Sequence, residues 1–482
     1  MDAILIRGGR PLAGEVDVSG AKNAALPLLF ASLLTPETCR IANVPRVVDC
    51  RTTQKLLAQL GVEVESDANL VTLKAESITC FEAPYDLVKT MRASFLALGP
   101  LLARFGEARV ATPGGCAIGS RPVNLHLRGF ERMGATISQS HGYVEARAPI
   151  GADGRPRLRG ARIVLEMPSV GATENLMLAA SLAEGTTVID NAAREPEIVD
   201  LAEALVKMGV AIRGAGSATL SIDGRDAVHG FEHRVIPDRI EAGTLLMAVA
   251  AAGGDVFIRD ARASHLTLVL EKLVEAGVVI DEHDDGIRVR SDGRLKSVDV
   301  RTAAYPGFPT DLQAQFMALM CFAEGASAIT ETIFENRFMH VQELVRMGAD
   351  IRLEGSKALV HGVARLEGAP VMATDLRASV CLVVAALGAQ NTTRLQRVYH
   401  LDRGYERIEE KLAGIGASIE RVREGQDTAT DTPAVAAASE PAAVARRAMA
   451  TRPVREPQPE AAPAPAAKKQ TGRKVRLLRI GE

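Results

Sequence analysis

Apolar and polar positions recur along this chain in one compound pattern, written six times. Each copy ends an amphipathic helix, places a Gly, and continues into a short alternating run that predicts a strand. The copies lie at 57–64, 130–137, 205–212, 273–280, 344–351 and 412–419, with glycines at Gly61, Gly134, Gly209, Gly277, Gly348 and Gly416. Successive glycines are 68 to 75 residues apart. Gly just past a helix takes the left-handed conformation at little steric cost. Upstream of each helix a second strand is expected, at 40–44, 108–112, 187–191, 256–260, 328–332 and 393–398. The chain therefore reads as six βα-rich units of about 70 residues, an α/β class of fold, on the principle that fixed-period similarity marks repeated units. Units this short cannot each bury a helix and a sheet face alone, so they must share cores. A linear solenoid is the alternative, but the units are long for one.

Composition narrows the function. A chain of 482 residues suggests two or three domains. The net charge of -2 argues against a general nucleic-acid binder, and the 4% of aromatic residues, none of them Trp, against a base-stacking platform. The longest apolar stretches, 93–103 and 378–389, fall short of the roughly 18 residues of a membrane span, so no membrane insertion is expected. Residues 1–8 lack the basic and apolar regions of a signal peptide. Six Cys, at 39, 50, 80, 116, 321 and 381, form no CxxC, which fits reduced thiols in a cytoplasm. Residues 424–482 are rich in Ala and Pro and predict a disordered tail. Its basic tip, Lys468, Lys469, Arg473, Lys474, Arg476 and Arg479, is either solvated or a dock for an unknown acidic partner.

Candidate chemistry gathers at turns. Residues 111–122 carry Gly114, Gly115 and Gly119 between Pro113 and Pro122, which predicts a mobile loop. Cys116 sits at its centre with Arg121 five residues on, and a guanidinium near a thiol favours the thiolate. The loop lacks the Lys-Ser/Thr of a phosphate-binding P-loop. Lys22 and Asn23 follow Ser19-Gly20 at an expected helix N-terminus, where the dipole and free N–H groups favour an anion. Arg92, Arg337, Arg377 and Arg403 stand beside turns. Arg is the bidentate clamp for carboxylate and phosphate; helix-start pairing with Glu335, Asp375 or Asp402 is the other reading. Asp311, after Pro309-Thr310, reads as a helix cap or as a rigidly held base. The nine His are dispersed, and no metal signature appears.

Taken together, Gly20 to Asn23, Arg92 to Ser94, Pro113 to Gly119 with Arg121 to Val123, Ser169 to Thr173, Glu195 to Glu197, Pro237 to Glu241, Phe308 to Asp311, Phe334 to Arg337, Asp375 to Arg377 and Asp402 to Tyr405 resemble the enolpyruvyl (1-carboxyvinyl) transferase family, in its branch that acts on UDP-N-acetylglucosamine. The resemblance covers about residues 1–423. It implies an inside-out α/β barrel of two similar lobes, three repeats each: 22–235, and 1–21 with 236–423. It implies transfer of the enolpyruvyl group of phosphoenolpyruvate to the sugar 3-hydroxyl, with no metal or organic cofactor. Cys116 matches the family's acid and Asp311 its base. Lys22, Arg121 and Arg403 match the phosphoenolpyruvate clamp, with Arg377 nearby. Asn23, Arg92, Pro122, Val123, Leu125, Ser169, Gly171 and Ile333 match positions around the sugar nucleotide, and Arg337 belongs to one of the matching motifs. Two departures stand out: Asn124 where the family often has Asp, and Pro168 where many members carry Lys.

Overall fold

A computed structural model describes residues 2–89, 91–112, 123–151 and 154–423. The loop centre with Cys116, Arg121 and Pro122, and the tail 424–482, lie outside the described residues.

A single turn at Tyr85–Val88 aside, the α-helices in chain order are α1 (Lys22–Ala31), α2 (Val48–Leu60), α3 (Leu98–Phe105), α4 (Asn124–Arg132), α5 (Val170–Ala180), α6 (Pro196–Lys207), α7 (Arg239–Ala252), α8 (Thr267–Glu275), α9 (Gln313–Met320), α10 (Val341–Arg346), α11 (Ala378–Gly388) and α12 (Ile408–Gly414). They alternate in character. The odd-numbered helices are apolar nearly all round and almost wholly buried; α9 and α11 each bury eight or more consecutive residues. A helix that is hydrophobic all round has no face to give to water. The even-numbered helices bury one stripe only, such as Val269, Leu270 and Leu273 of α8.

The glycine ending each even-numbered helix adopts the left-handed conformation, with φ between +90° and +108° across all six. Strands follow at Glu63–Asp67, Thr136–Ser140, Ala211–Arg213, Val279–His283, Asp350–Glu354 and Ser418–Arg423. The upstream strands begin one or two residues earlier than the apolar pattern suggests, at Thr38, Glu107, Thr186, Gly254, Ala326 and Thr392. Three of them end where Asn43, Asn191 and Asp260 turn the backbone to positive φ, at 60°, 55° and 60°. Asn and Asp enter that region more readily than other non-Gly residues, and Asn43 Nδ2 donates to Val235 O and Asn191 Nδ2 to Leu165 O, both at 2.9 Å.

Six four-stranded sheets result, plus one two-stranded pair, among the described residues. All six share one pairing: an outer strand runs parallel to the second, and the remaining two pairs are antiparallel. The opening strand Asp2–Arg7 completes the last of these sheets, between Thr392–Gln396 and Ser418–Arg423.

Buried apolar side chains form two cores. One runs from Ala21 to Ile236 around α1, α3 and α5. The other takes Ile4 to Val18 and Ile240 to Ile419, around α7, α9 and α11. The chain passes between them twice, and the two passages are bonded to each other. Ala21 N donates to Ile236 O at 2.7 Å and Asp238 N to Ser19 O at 2.8 Å.

Candidate active site

A cavity of about 450 Å³ is lined from both cores, by Lys22, Asn23, Asp49, Arg92, Val123, Gly171, Glu174, Asp311, Arg337, Arg377 and Arg403 among others. Its first cluster is built around Asp49. This residue lies in the first turn of α2, where a carboxylate suits the helix dipole. Lys22 opens α1 beside it, and its Nζ lies 3.3 Å from Asp49 Oδ2. Arg403 ends the 3-10 turn Val398–Arg403 of the other core, and its Nε lies 3.0 Å from Asp49 Oδ1. Asp49 is almost wholly buried, so two cations from opposite cores are held by one enclosed carboxylate. Two residues of the same segments add a second tie, Arg46 Nε to Glu406 Oε1 at 2.6 Å.

The second cluster is built around Asp311, in the 3-10 turn Thr310–Leu312 that leads into α9. Its carboxylate makes no helix cap. Instead Arg337 Nη2 donates to Oδ1 at 2.8 Å and Arg377 Nε to Oδ2 at 3.3 Å. Gln315 Nε2 donates to the Asp311 carbonyl at 2.9 Å, which fixes the turn. Burial alone would raise this carboxyl's pKa. The guanidiniums of Arg337 and Arg377, with Lys22 further off, outweigh burial and hold it well below the usual carboxylate range. The local pairing of these arginines, which the sequence leaves open, is not what the fold builds. Arg337 and Arg377 converge on Asp311 and Arg403 on Asp49, while Asp402 binds Arg421 instead.

Part of the cavity wall is α5. Ser169 caps it, its Oγ accepting from Ala172 N at 3.3 Å, and Gly171 lines the cavity. Behind that wall Asn175 locks three elements together. It donates to Phe95 O at 3.1 Å, accepts from Gly99 N at 2.8 Å and meets His126 Nδ1 at 3.1 Å. Burial, with help from Arg92, pushes the His126 imidazole down to about 3, so it is neutral.

Of the residues expected at the site, Lys22, Asn23, Arg92, Val123, Gly171, Asp311, Arg337, Arg377 and Arg403 come together around the one cavity. Asn124, Leu125 and Ser169 adjoin lining residues in the chain without lining the cavity themselves, and Ile333 is not among the lining. Asn124 and Pro168 are both exposed, at the start of α4 and just before α5. Sequence reasoning missed Asp49 and Glu174. Asp49 reads from sequence as one more acidic residue at a helix start, and nothing local reveals that it meets Lys22 and Arg403. No group of three or more His, Cys, Asp or Glu that could hold a metal occurs among the described residues. No helix among them is long and apolar enough to cross a membrane.

Residues 6–412 match the family described as EPSP synthase (3-phosphoshikimate 1-carboxyvinyltransferase). Two curated relatives, the UDP-N-acetylglucosamine 1-carboxyvinyltransferases of Geotalea uraniireducens (strain Rf4) and Geotalea daltonii, are each 57% identical over 424 residues. That is 88% of this chain and 100% of each relative. Among solved structures, the enolpyruvyl transferase NikO from Streptomyces tendae superposes with a TM-score of 0.77 at 26% identity, over 87% of this chain and 98% of that one. An EPSP synthase from Acinetobacter baumannii gives 0.68 at 17% identity, over 88% and 100%, a likeness of fold alone. The inside-out α/β architecture, the cavity gathered between the two cores and the match along nearly all described residues lead to one conclusion: the chain belongs to the enolpyruvyl (1-carboxyvinyl) transferase family, alongside the UDP-N-acetylglucosamine 1-carboxyvinyltransferases.

Proposed function

We propose that this protein transfers the enolpyruvyl group of phosphoenolpyruvate to the 3-hydroxyl of UDP-N-acetylglucosamine and releases phosphate, a step that supplies peptidoglycan precursors. The observation that carries the reading is the cavity itself. It sets Lys22, Arg337, Arg377 and Arg403 around the carboxylates of Asp49 and Asp311. Such a site suits a small donor that bears both a carboxylate and a phosphate.

The chemistry is addition followed by elimination. Cys116 gives a proton to the methylene carbon of phosphoenolpyruvate, and the adjacent carbon becomes electrophilic. The sugar oxygen bonds to that carbon as Asp311 takes the hydroxyl proton. The Cys116 thiolate then takes back a methyl proton, which reforms the double bond as the carbon–oxygen bond to phosphate breaks and phosphate leaves. Cations that exchange onto the donor as it binds are in place when it reacts, and they stabilise the developing charge without further reorganisation. In the ligand-free arrangement Asp311 is ionised but a weak base, because two guanidiniums hold it. Its basicity rises once a substrate anion draws Arg337 or Arg377 away. Lys22 and Arg403, with Arg121, clamp the donor, and Asn23, Arg92, Val123 and Gly171 receive the sugar nucleotide with Pro122, Asn124, Leu125, Ser169 and Ile333 close by.

We read the six like-paired sheets, each served by one buried and one half-buried helix, as six copies of one unit. Three copies make each lobe, 22–235 and 1–21 with 236–423, and the two apolar cores support that division. The deciding experiment is phosphate release from phosphoenolpyruvate with each acceptor in turn. UDP-N-acetylglucosamine should support turnover and shikimate 3-phosphate should not. Turnover with shikimate 3-phosphate alone would overturn the assignment.

A further inference from the structure

Glu174 is a buried carboxyl that the reaction above does not use. It follows Gly171 by three residues on α5, so the two share one helix face, and both line the cavity. Only 4% of Glu174 is exposed. Its Oε1 is enclosed and has no hydrogen-bond partner among the described residues. A buried polar atom left in that state costs about 1–3 kcal/mol. Glu174 lines the cavity, so a turn about its last side-chain bond brings this oxygen within reach of a ligand, whose hydrogen bond then offsets the cost.

The surroundings say what kind of ligand group that is. The start of α6 presents Glu195 and Glu197, the two charged groups that act most on Glu174. Arg239 of α7 is taken up by Glu197, its Nε 3.1 Å from Oε1. On α1, Lys22 is held by Asp49. On α4, His126 is neutral and bound to Asn175, and Arg92 lines the same cavity ahead of α3. A buried carboxyl with two more carboxylates beside it is a poor seat for the donor's own carboxylate and phosphate. It accepts an uncharged, hydroxyl-rich sugar.

We propose that Glu174 reads the acceptor: its carboxyl, on the α5 wall, completes a hydrogen bond with a hydroxyl or amide of the sugar nucleotide and so sets acceptor affinity without affecting the donor. This rests on the acceptor assigned above. Burial and the two neighbouring carboxylates raise the Glu174 pKa well above the usual range, which favours the uncharged acid. In that form it both donates and accepts. A site built to bond a substrate hydroxyl or amide discriminates strongly against analogues that lack it.

The test compares the full chain with Glu174→Gln and Glu174→Leu, by calorimetric titration of UDP-N-acetylglucosamine and by initial rates in both substrates. Glu174→Leu should bind the sugar nucleotide about tenfold more weakly, with the KM for phosphoenolpyruvate unchanged. Glu174→Gln, which keeps a donor and an acceptor, should rescue binding to within about twofold of the parent. Should the Leu variant not fold, Glu174→Met carries the same expectation. Parent-like acceptor affinity in the apolar variant would assign Glu174 to packing and overturn the inference. So would a Gln variant as weak as the apolar one, or a parallel rise in the donor KM. A parent chain that binds no UDP-N-acetylglucosamine overturns the acceptor assignment itself, and that failure is visible before any substitution is made.

Discussion

Asp49 and Asp311 each gather two cations that stand far apart in sequence, and this decides how the rest of the site behaves. An anionic donor that enters the cavity competes with carboxylates already in place, so binding exchanges one set of ion pairs for another. The cysteines separate in the same physical terms. Burial pushes the thiols of Cys39 and Cys321 up to about 12, and those of Cys50 and Cys381 up as well. Neutral thiols do not alkylate. Iodoacetamide at neutral pH should therefore spare these four in the native protein, as read by peptide mass mapping. Cys116→Ser should lose most turnover while Cys381→Ser keeps it; equal, near-normal rates would remove Cys116 from the mechanism. His340 carries a stability prediction. It is fully buried, and neither ring nitrogen has a partner among the described residues. Burial lowers its pKa from 6.5 to about 4, opposed by Asp375 and aided by Arg337. The unfolded chain thus takes up this proton near pH 6.5 and the folded chain only near pH 4, so stability falls as pH drops through that window. His340→Leu should flatten the fall, by up to about 1.4 kcal/mol per pH unit. Urea denaturation at pH 4.5, 5.5 and 6.5 checks it, and parallel slopes in parent and variant would refute it.

At the scale of the element, the ends of the half-buried helices are the most constrained points. Gly348 has φ +96° and no atom within 4 Å of where a Cβ would stand. Gly61 has φ +108°, and its Cβ would lie 2.7 Å from Ser77 O and 3.0 Å from Thr79 N. Gly348→Ala should cost about 1–2 kcal/mol, the left-handed penalty alone. Gly61→Ala should cost clearly more, because backbone atoms must also move. Equal losses in urea denaturation would show that conformation decides both and crowding neither. The buried helices obey a different logic. α9 and α11 are short and apolar on nearly every side, so enclosure by neighbours is what makes them stable.

For the whole molecule the critical feature is the double passage between cores. Lys411 of α12 sits against it, and its Nζ donates to Ser19 Oγ at 2.7 Å, to Asp17 O at 3.0 Å and to Glu241 Oε1. Ser19 N donates to the other oxygen of Glu241 at 3.1 Å. The Glu241 side chain is only 2% exposed, so removing its partner leaves a buried charge uncompensated. Lys411→Met should therefore destabilise the protein by about 3 kcal/mol. Adding Glu241→Gln should recover more than half of that, because the stranded charge is gone. Chemical denaturation of the two single variants and the double variant measures it. A loss below about 1 kcal/mol for Lys411→Met would show that water reaches the site and the tie is weak.

The sequence by itself determined the helix ends, their glycines and the strands that follow, because these depend on local periodicity and on the one residue type that turns left without strain. It also singled out Lys22, Asp311, Arg337, Arg377 and Arg403, since cations and a carboxylate at turns are visible as residue types. Strand limits shifted by a residue or two where Asn43, Asn191 and Asp260 turned the backbone, a detail that apolar alternation does not encode. Only the tertiary structure decided the pairing. Asp49 meets Arg403 of the other core, Asp311 takes two arginines instead of capping a helix, and Glu174 Oε1 has no partner among the described residues, beside two other carboxylates. These depend on which distant segments the two cores bring to one wall, and on how burial weighs against charge there, neither of which is a property of any stretch of chain read alone.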